Sequence, residues 1–338
     1  MRRPLSDLPR PLTDAADPVA AFWAADAAGH PVVLHTSGSS GVPRAVVRTT
    51  GSWTSSFEPV ARLTGLTSGS RLWVPGPLRA TMNLFAAVHA SAWGATLMRS
   101  PADATHAQLT PSALLRCLED EVPLAGLSVV VAGDRLAPAL HRRALAAGVE
   151  VQHYYGAAEL SFVAWGSHAD DLRPFPGAEV SIRAGEIWVR SPYLCLGYDG
   201  PPGPLRVDDA GYATVGDRGA LVEGLLRVAG RPGAVTVGGA TVEVADVEAV
   251  LRPAATGELV VVAAERFGRV LAAVLTDDRD HAPLLRLARA RLEGAHRPRL
   301  WYRIDDLPRT PAGKVDQEAV RDLVAHGSSR VRLLVPAR

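Results

Sequence analysis

The sequence predicts an α/β protein with a large N-terminal body, which contains a parallel sheet and a β-rich subdomain, and a small α+β C-terminal domain. From about residue 31 to 155, short apolar runs alternate with helix-like segments, the pattern of βα units that build a parallel sheet. Strand pairs with glycine-containing turns follow, and a mixed pattern begins near residue 230. The predicted domains are a body over 1–230, divided into 31–170 (α/β) and 171–230 (β-rich), and a C-terminal domain over 231–338.

The elements of the parallel-sheet region follow from the spacing of apolar residues. Short apolar runs, typical of buried strands, occur at 31–35, 71–75, 95–99, 127–133 and 149–155. Longer segments with helical periodicity lie at 81–93, 112–121 and 137–148. Strands and helices therefore alternate along this part of the chain.

The later elements are shorter and more mixed. In the β-rich part, two hairpins are predicted, 178–182 with 186–192 and 219–224 with 225–230. The C-terminal pattern predicts, in order, a strand at 234–239, a helix at 242–251, strands at 259–264 and 269–276, a helix at 282–295, a strand at 300–304 and a closing helix after Lys314.

Composition excludes several classes of protein. The chain has 338 residues and a formal net charge of +1, with no basic stripe, so we predict no nucleic-acid partner. The first residues lack the apolar core of a secretory signal, and no apolar run is long enough to cross a bilayer. Cys117 and Cys195 form neither a metal-binding nor a disulfide pattern. We therefore predict a cytoplasmic protein with no membrane span.

A loop rich in serine and glycine directly follows the first predicted strand. The segment from Thr36 to Gly41 reads TSGSSG and is followed by Val-Pro and Arg44. The backbone N–H groups of such a loop, with hydroxyl donors and one cation, can surround phosphate oxygens. The spacing of a Walker A loop is absent, and a loop of this composition also occurs as an ordinary turn. The segment is a candidate phosphate site that requires support from other residues.

Two further polar segments come after predicted strands. Tyr155-Gly156-Ala157-Ala158-Glu159 ends a strand, and loops at the carboxyl ends of parallel strands line the ligand crevice of α/β proteins. The ring of Tyr155 can stack on a base, and the carboxylate of Glu159 can hold Mg²⁺. Asp217 lies in a glycine-rich turn and can accept hydrogen bonds from ribose hydroxyls. Each residue also has a structural interpretation, as a core aromatic, a solvated carboxylate and a turn former.

Lysine occurs once in the chain, at Lys314 in the segment RTPAGKVD, and the other 35 basic residues are arginines. An ammonium group is a compact charge that can reach a developing oxyanion where a planar guanidinium does not fit. The alternative interpretation is a coding bias that leaves one solvated surface lysine. The functional interpretation requires a site to which Lys314 contributes.

Six segments, in order, resemble the motifs of the adenylate-forming superfamily, which includes acyl-CoA synthetases, peptide-synthetase adenylation domains and luciferases. They are HTSGSSGVPRAV, YGAAE, GEIWVRSPYLCLGY, GYATVGDRG, RVAGRPGAVTVGGATVEVADVEAVL and LPRTPAGKVD. The resemblance runs from about residue 31 to 323. Relative to the family, the region ahead of the phosphate loop is short, and the chain most resembles the o-succinylbenzoate-CoA synthetases.

The resemblance implies a nucleotide site and a catalytic pair. Its phosphate cradle would consist of Thr36, Ser37, Gly38, Ser39, Ser40, Gly41 and Arg44. Its adenosine site would consist of Gly133, Tyr155, Gly156, Ala157, Asp217 and Arg231. Glu159 would coordinate Mg²⁺, and Lys314 would be the catalytic lysine that bridges the substrate carboxylate and the α-phosphate of ATP.

The reaction implied by the resemblance uses ATP, Mg²⁺ and CoA or phosphopantetheine. A small carboxylic acid attacks the α-phosphorus of ATP, which gives an acyl-adenylate and pyrophosphate, and the acyl group then passes to a thiol. The C-terminal domain would act as a mobile lid that rotates between the two half-reactions. Lys314 would leave the site, and the loop that contains Gly238 and Gly239 would line the thiol tunnel.

The acyl pocket and the departures from the family pattern bear on the substrate. Arg44 replaces the usual lysine, Ala158 the usual threonine and Gly233 the usual hinge aspartate. The predicted acyl-site residues are Trp53, Arg79, Asn83, His153 and Leu160. The mostly apolar lining favours an aromatic or aliphatic acid of modest size. Arg79 and Asn83 are candidates to meet a distal carboxylate, although Arg79 is equally well explained as a surface arginine.

Three hypotheses remain open from the sequence. The first is a ligase that makes an acyl-CoA. The second is an acyl-AMP ligase that passes the acyl group to a carrier protein or an amine. The third is a degenerate member that binds a nucleotide or an acyl ligand without turnover. Pyrophosphate release with and without CoA separates them.

Overall fold

The computed structural model describes residues 11–36, 44–230, 233–265, 268–309 and 315–335. The described residues up to Gly230 belong to one compact unit, called the body below. Those from Gly233 onward belong to a second, called the C-terminal unit. Each unit is described by itself.

The body contains six helices and sixteen strands among its described residues. The helices are α1 Pro18–Ala27, α2 Gly51–Thr54, α3 Phe57–Thr64, α4 Thr81–Ala92, α5 Pro111–Glu119 and α6 Pro138–Ala146. The first nine strands are β1 Val32–Thr36, β2 Arg44–Arg48, β3 Arg71–Trp73, β4 Thr96–Met98, β5 His106–Leu109, β6 Ser128–Val131, β7 Glu150–Ala157, β8 Ser161–Gly166 and β9 Arg173–Pro174. The other seven are β10 Glu179–Arg183, β11 Glu186–Arg190, β12 Gly197–Asp199, β13 Arg206–Val207, β14 Ala213–Thr214, β15 Arg218–Val222 and β16 Leu225–Gly230.

The largest sheet has the order β4-β3-β5-β6-β7-β8-β9. Its first five strands are parallel to one another, and β8 and β9 are added antiparallel. One face packs an aromatic core that includes Phe57 and Phe85 from α3 and α4. The other face packs an aliphatic core that includes Leu114 and Ala144 from α5 and α6. The predicted parallel sheet is confirmed, and the structure shows that helices cover both of its faces.

The first predicted strand is the exception, because it lies in a different sheet. β1 pairs antiparallel with β2, and β12 completes a three-stranded sheet. Seven residues separate β1 from β2, and a parallel pairing needs a crossover of roughly a dozen residues or more. The short connection therefore favours a hairpin, which places Thr36 opposite Arg44 at the ends of the two strands.

The β-rich part of the body is a six-stranded sheet in which β10 also pairs with β11. Both predicted hairpins are confirmed, β10 with β11 and β15 with β16. In the first hairpin, Ala184 and Gly185 have φ values of 50° and 79°. Positive φ at both central residues is the conformation that matches the twist of a two-residue hairpin, and glycine adopts it at least cost.

The C-terminal unit has a small α+β fold. Its elements are β17 Ala234–Val237, β18 Ala240–Glu243, α7 Val244–Leu251, β19 Leu259–Glu265, β20 Arg269–Leu275, α8 His281–Arg291, β21 Leu300–Ile304, α9 Gln317–Ala325 and β22 Val331–Leu333. Strands β19 to β22 form one sheet in chain order, and β17 pairs with β18. Leu251 and Leu284, from α7 and α8, belong to one core, and Val320 from α9 belongs to a second.

Two buried histidines of the body should make its stability depend on pH. Burial lowers the pKa of His89 and His153 to about 4. Unfolded histidine takes up a proton near pH 6.5, so the unfolded chain binds more protons between pH 6.5 and 4. The stabilisation is complete above pH 6.5 and is lost as the pH falls through that window, by roughly 3 kcal/mol for each histidine.

Urea unfolding of the protein between pH 7.5 and 4.5 measures this loss. His89→Gln should reduce the pH dependence, whereas His30→Gln, at an exposed position of the body, should leave it unchanged. An equal pH dependence in all three proteins would contradict the assignment.

Candidate active site

The candidate site lies where parallel strands of the large sheet end. β6 ends at Val131, and Gly133 follows it with a φ of 87°. Tyr155, Gly156 and Ala157 are the last residues of β7, so this motif begins inside the strand. Because β6 and β7 are parallel neighbours, the structure brings Gly133 and the YGAAE motif to the same edge of the sheet.

A local irregularity of the β7–β8 hairpin shapes the YGAAE motif. The register between the two strands shifts between Tyr155 and Gly156. A Cβ atom at Gly156 would overlap the carbonyl oxygen of Ser161, so only glycine fits there. Ser161 has a φ of 58°, an uncommon value for a residue with a side chain. The β7–β8 turn that follows contains Glu159.

The carboxylate of Glu159 is nearly buried, and the residue is 8% exposed. Its Oε1 atom accepts a hydrogen bond of 2.8 Å from the hydroxyl of Tyr198. Its backbone carbonyl accepts a bond of 2.9 Å from the N–H of Cys195. Burial raises the pKa of the Cys195 thiol to about 11, so this thiol is protonated at neutral pH. Cys195 therefore contributes its backbone to the site and not a nucleophile.

Arg48 is a fully buried cation beside the same turn. Its guanidinium donates hydrogen bonds to Ser52 Oγ at 2.9 Å, to the Ala158 carbonyl at 3.0 Å and to the Tyr193 carbonyl at 2.5 Å. It also lies 5.5 Å from the ring centroid of Trp53. Burial lowers the pKa of Arg48 to about 10, which leaves it charged at neutral pH. The sequence analysis missed Arg48, because an arginine at the end of the strand RAVVR is typical of a solvated charge.

Tyr155 and Asp217 are in direct contact. The hydroxyl of Tyr155 donates a hydrogen bond of 2.7 Å to Asp217 Oδ2, although the two residues are 62 positions apart. The backbone carbonyl of Asp217 also accepts a bond of 2.8 Å from Ile187 on β11. The structure therefore brings together the two residues that the resemblance assigns to adenine and ribose.

Several predicted site residues lie outside the described residues. They are Ser37, Gly38, Ser39, Ser40, Gly41, Arg231 and Lys314. Gly238 and Gly239 form the turn between β17 and β18, with φ values of 56° and 89°. Their roles, like those of the other site residues, stay predictions.

The predicted acyl-site residues occupy different environments in the body. Trp53 stacks on Phe22 within the aromatic core and is 1% exposed. Leu160 is fully buried, and His153 Nδ1 donates a 2.8 Å hydrogen bond to the Val131 carbonyl. Asn83 donates a 3.1 Å bond to the Pro77 carbonyl, whereas Arg79 is exposed. The assignment of these five residues to an acyl pocket stays a prediction.

A cavity of about 30 Å³, called the α4 cavity, lies between the sheet and helices α3 and α4. Its polar lining includes Gln108, His89, His106 and Tyr154. The cavity lies along one face of the sheet, since its lining runs from His106 to Gln108 on β5 and includes both Ser128 and Val130 of β6. The side-chain nitrogen of Gln108 is buried, and no described residue accepts a hydrogen bond from it. No sequence motif marked this cavity, because it is formed by residues far apart in the chain.

The donor set fits Mg²⁺ held mainly by a nucleotide. Among the described residues, no group of three or more histidine, cysteine, aspartate or glutamate side chains could hold a metal ion. Mg²⁺ commonly binds one or two protein carboxylates together with substrate phosphates and water. Glu159 Oε2 accepts no hydrogen bond from a described residue, so one carboxylate oxygen is available for such a metal.

The sheet order, and the position of the YGAAE motif at the carboxyl end of β7, agree with the fold expected of an adenylate-forming enzyme. The family model described as "AMP-binding enzyme" matches residues 24–199, just over half of the chain, and the protein belongs to this family. Its relatives include named CoA ligases, so the prediction of an AMP-forming ligase is confirmed. In the part of the chain that the structure describes, no helix is long and apolar enough to span a membrane.

Two curated relatives are CoA ligases. The chain is 27% identical to YhfT, an uncharacterized acyl-CoA ligase of Bacillus subtilis. The alignment is 336 positions long and covers 86% of this chain and 68% of YhfT. It is also 27% identical to 2-succinylbenzoate-CoA ligase of Escherichia coli over 307 residues, again 86% of this chain and 68% of the relative. The class supports the use of ATP and CoA in general.

Two solved structures confirm the fold. The amide bond synthetase McbA from Marinactinospora thermotolerans matches with a TM-score of 0.72 and 27% identity, over 87% of this chain and 69% of McbA. A double mutant of o-succinylbenzoate CoA synthetase from Bacillus subtilis, with a bound product analogue, matches with a TM-score of 0.70. Its identity of 24% over 86% of this chain and 69% of that protein supports the fold alone.

Proposed function

We propose that this protein activates a small carboxylic acid with ATP and transfers the acyl group to CoA. The observation that carries the proposal is the convergence of Gly133, Glu159 and the Tyr155–Asp217 pair at the ends of neighbouring strands. These groups match the parts of a nucleotide: a base, two ribose hydroxyls and a metal-bound phosphate chain. The relatives named as CoA ligases support the choice of a thiol acceptor.

The proposed chemistry has two steps. In the first, a carboxylate oxygen of the acid bonds to the α-phosphorus of ATP, and the bond from that phosphorus to pyrophosphate breaks. In the second, the thiol sulfur of CoA bonds to the acyl carbon, AMP leaves and the thiol proton is released. Bound Mg²⁺ supplies positive charge to the phosphate oxygens. Glu159 holds that charge in place, and Lys314 neutralises the charge that develops in the first step.

The α4 cavity supports an acid whose far end carries no charge. None of the described residues that line it is charged at neutral pH, since burial lowers the pKa of both His89 and His106. A second carboxylate placed there would be desolvated without a partner. The unpartnered Gln108 nitrogen instead favours a neutral hydrogen-bond acceptor. The cavity has room for about two water-sized groups, so the end group is small.

An amine acceptor is the alternative for the second step. The match to McbA favours it, because McbA has a similar fold and is named an amide bond synthetase. Transfer to a carrier protein remains a further alternative. We favour CoA because both Gly238 and Gly239 adopt positive φ without side chains, which leaves the turn open to a narrow thiol arm.

A panel of matched acids tests the proposed function. Pyrophosphate release is measured with ATP and Mg²⁺ for 5-methylhexanoate, 5-oxohexanoate and pentanedioate, which differ only at the far end, and for the corresponding para-substituted benzoates. Thioester and amide products are then assayed with CoA and with simple amines. We expect pyrophosphate release to be fastest with the ketone acid, slower with the branched alkyl acid and slowest with the dicarboxylate. We expect the product to be a thioester. No release with any acid would contradict the proposal, and amide without thioester would replace CoA by an amine.

Gln108→Leu provides the specific test of the acid class. Loss of one hydrogen bond of about 1.4 kcal/mol should lower kcat/KM for the ketone acid roughly tenfold and leave the branched alkyl acid nearly unchanged. Gln317→Leu, at an exposed position of α9, is the control and should change neither. An equal decrease for both acids would show that Gln108 supports packing and does not select the acid.

A further inference from the structure

We propose that Tyr198 is a positioning residue for Glu159, and that it acts with Arg48 to hold the carboxylate where a metal–nucleotide complex binds. The inference rests on the proposed function, in which Glu159 binds Mg²⁺. Tyr198 lies in the segment CLGYDG, to which the sequence analysis gave no role. The proposal follows from the hydrogen bonds and the packing of the Tyr198 side chain.

The hydroxyl group of Tyr198 is held from two sides. It accepts a hydrogen bond of 3.2 Å from the backbone N–H of Leu205 and donates one of 2.8 Å to Glu159 Oε1. Because the hydroxyl oxygen accepts the bond from Leu205, its own proton points to the carboxylate of Glu159.

The ring of Tyr198 fits against a glycine. A Cβ atom at Gly203 would overlap the Cζ, Cε2 and Oη atoms of Tyr198. Gly203 does not adopt a positive φ, so the requirement for glycine at this position is steric and comes from the ring. β12 also pairs Tyr198 with Val46 of β2, which fixes the backbone from which the ring projects. The ring is thus held on one side by Gly203 and at its base by the strand pairing.

Arg48 and Cys195 fix the main chain beneath the carboxylate. Arg48 bonds the carbonyl of Ala158, and the N–H of Cys195 bonds the carbonyl of Glu159. Two successive peptide groups of the turn are therefore anchored, one by Arg48 of β2 and the other by the segment that leads into β12. With its backbone and Oε1 both held, Glu159 presents Oε2 in a defined direction, which lowers the ordering cost of binding a metal.

Tyr198→Phe tests the inference without removing a charge. The half-saturating concentration of Mn²⁺, measured by electron paramagnetic resonance with ATP present, should rise about tenfold or more, as is typical of losing a partner of a metal ligand. ATP affinity in the presence of EDTA should remain unchanged, and excess Mg²⁺ should restore kcat. Tyr212→Phe is the matched control, because its hydroxyl bonds the exposed Glu179 at 3.1 Å elsewhere on the body.

Gly203→Ala provides a second test that keeps the hydroxyl but displaces the ring. It should weaken Mn²⁺ binding in the same direction, whereas Gly69→Ala, where a Cβ would meet only Thr67 Oγ1 at 3.9 Å, should not. If wild-type protein binds Mn²⁺ and ATP and Tyr198→Phe binds them equally well, this inference is wrong and the proposed function stands. If wild-type protein shows no metal-dependent ATP binding, the inference and the proposed function are both overturned.

Discussion

Lys314→Ala is expected to reduce acyl-adenylate formation by at least about a hundredfold and to leave thioester formation from supplied acyl-adenylate within about threefold of the wild-type rate. Lys314 lies outside the described residues, so the expectation depends on the resemblance to the family and on the proposed function. Removal of a preorganised positive group that acts only on the transition state of one step should lower the rate of that step alone.

The measurement compares the two half-reactions in the same preparation. Pyrophosphate release reports the first, and thioester formation from synthetic acyl-adenylate and CoA reports the second. Lys314→Arg is the matched variant, because it keeps the charge and changes its shape, and it should still lose most of the first activity. An equal loss in both half-reactions would contradict a lysine that serves one step, and so would an unaffected first step.

Arg48→Met is expected to destabilise the protein by about 3–5 kcal/mol, the largest effect on stability predicted here for a single substitution. The change removes three donated hydrogen bonds in a fully buried position and leaves the carbonyls of Ala158 and Tyr193 without that donor. Buried acceptors that lose their donors retain the full desolvation cost. Methionine fills similar volume, so the loss reports the missing bonds rather than a cavity.

Urea unfolding at pH 7.5 measures this effect. Arg62→Met is the control, since Arg62 forms an exposed pair with Glu58 at 2.8 Å one helical turn away, and such pairs contribute little. Its unfolding midpoint should be close to that of the wild type. A small change in Arg48→Met would mean that water reaches the guanidinium, and it would remove the main-chain anchor that we assign to this residue.

The positions of the strands along the chain were easier to predict from the sequence than the strands with which they pair. Strands β3, β4, β6 and β7 were recognisable because each is a short apolar run, and that signal is local. Strand β5, with the sequence HAQL, was missed because its histidine and glutamine interrupt the apolar run. The pairing of β1 with β2 was not recognisable, because an apolar run carries no information about which sheet it joins. The position of Trp53 in the aromatic core could not be predicted for the same reason, because it depends on contacts with α1 and α4.

The candidate site residues that could be predicted are those whose side-chain type suits one chemical role in a recognised motif. Tyr155 and Asp217 were identified separately by resemblance, and the structure places them in contact. Arg48 and Tyr198 were not identified, because each bonds a neighbour distant in the chain. Gln108 was not identified, because only the fold shows that its side-chain nitrogen is buried without a partner among the described residues. The sequence does not distinguish a buried arginine from a solvated one, because burial is determined by the fold.

The bond between Tyr155 and Asp217 joins residues of two different sheets, and this limits how the protein can be divided. A shortened version that stops at residue 170 would keep every strand of the parallel sheet except β9 and would still lack the aspartate. The carboxylate of the Tyr155–Asp217 pair would then be missing from the proposed adenosine site, however well the shortened version folded. The proposed nucleotide site therefore requires the β-rich segment as well as the parallel sheet.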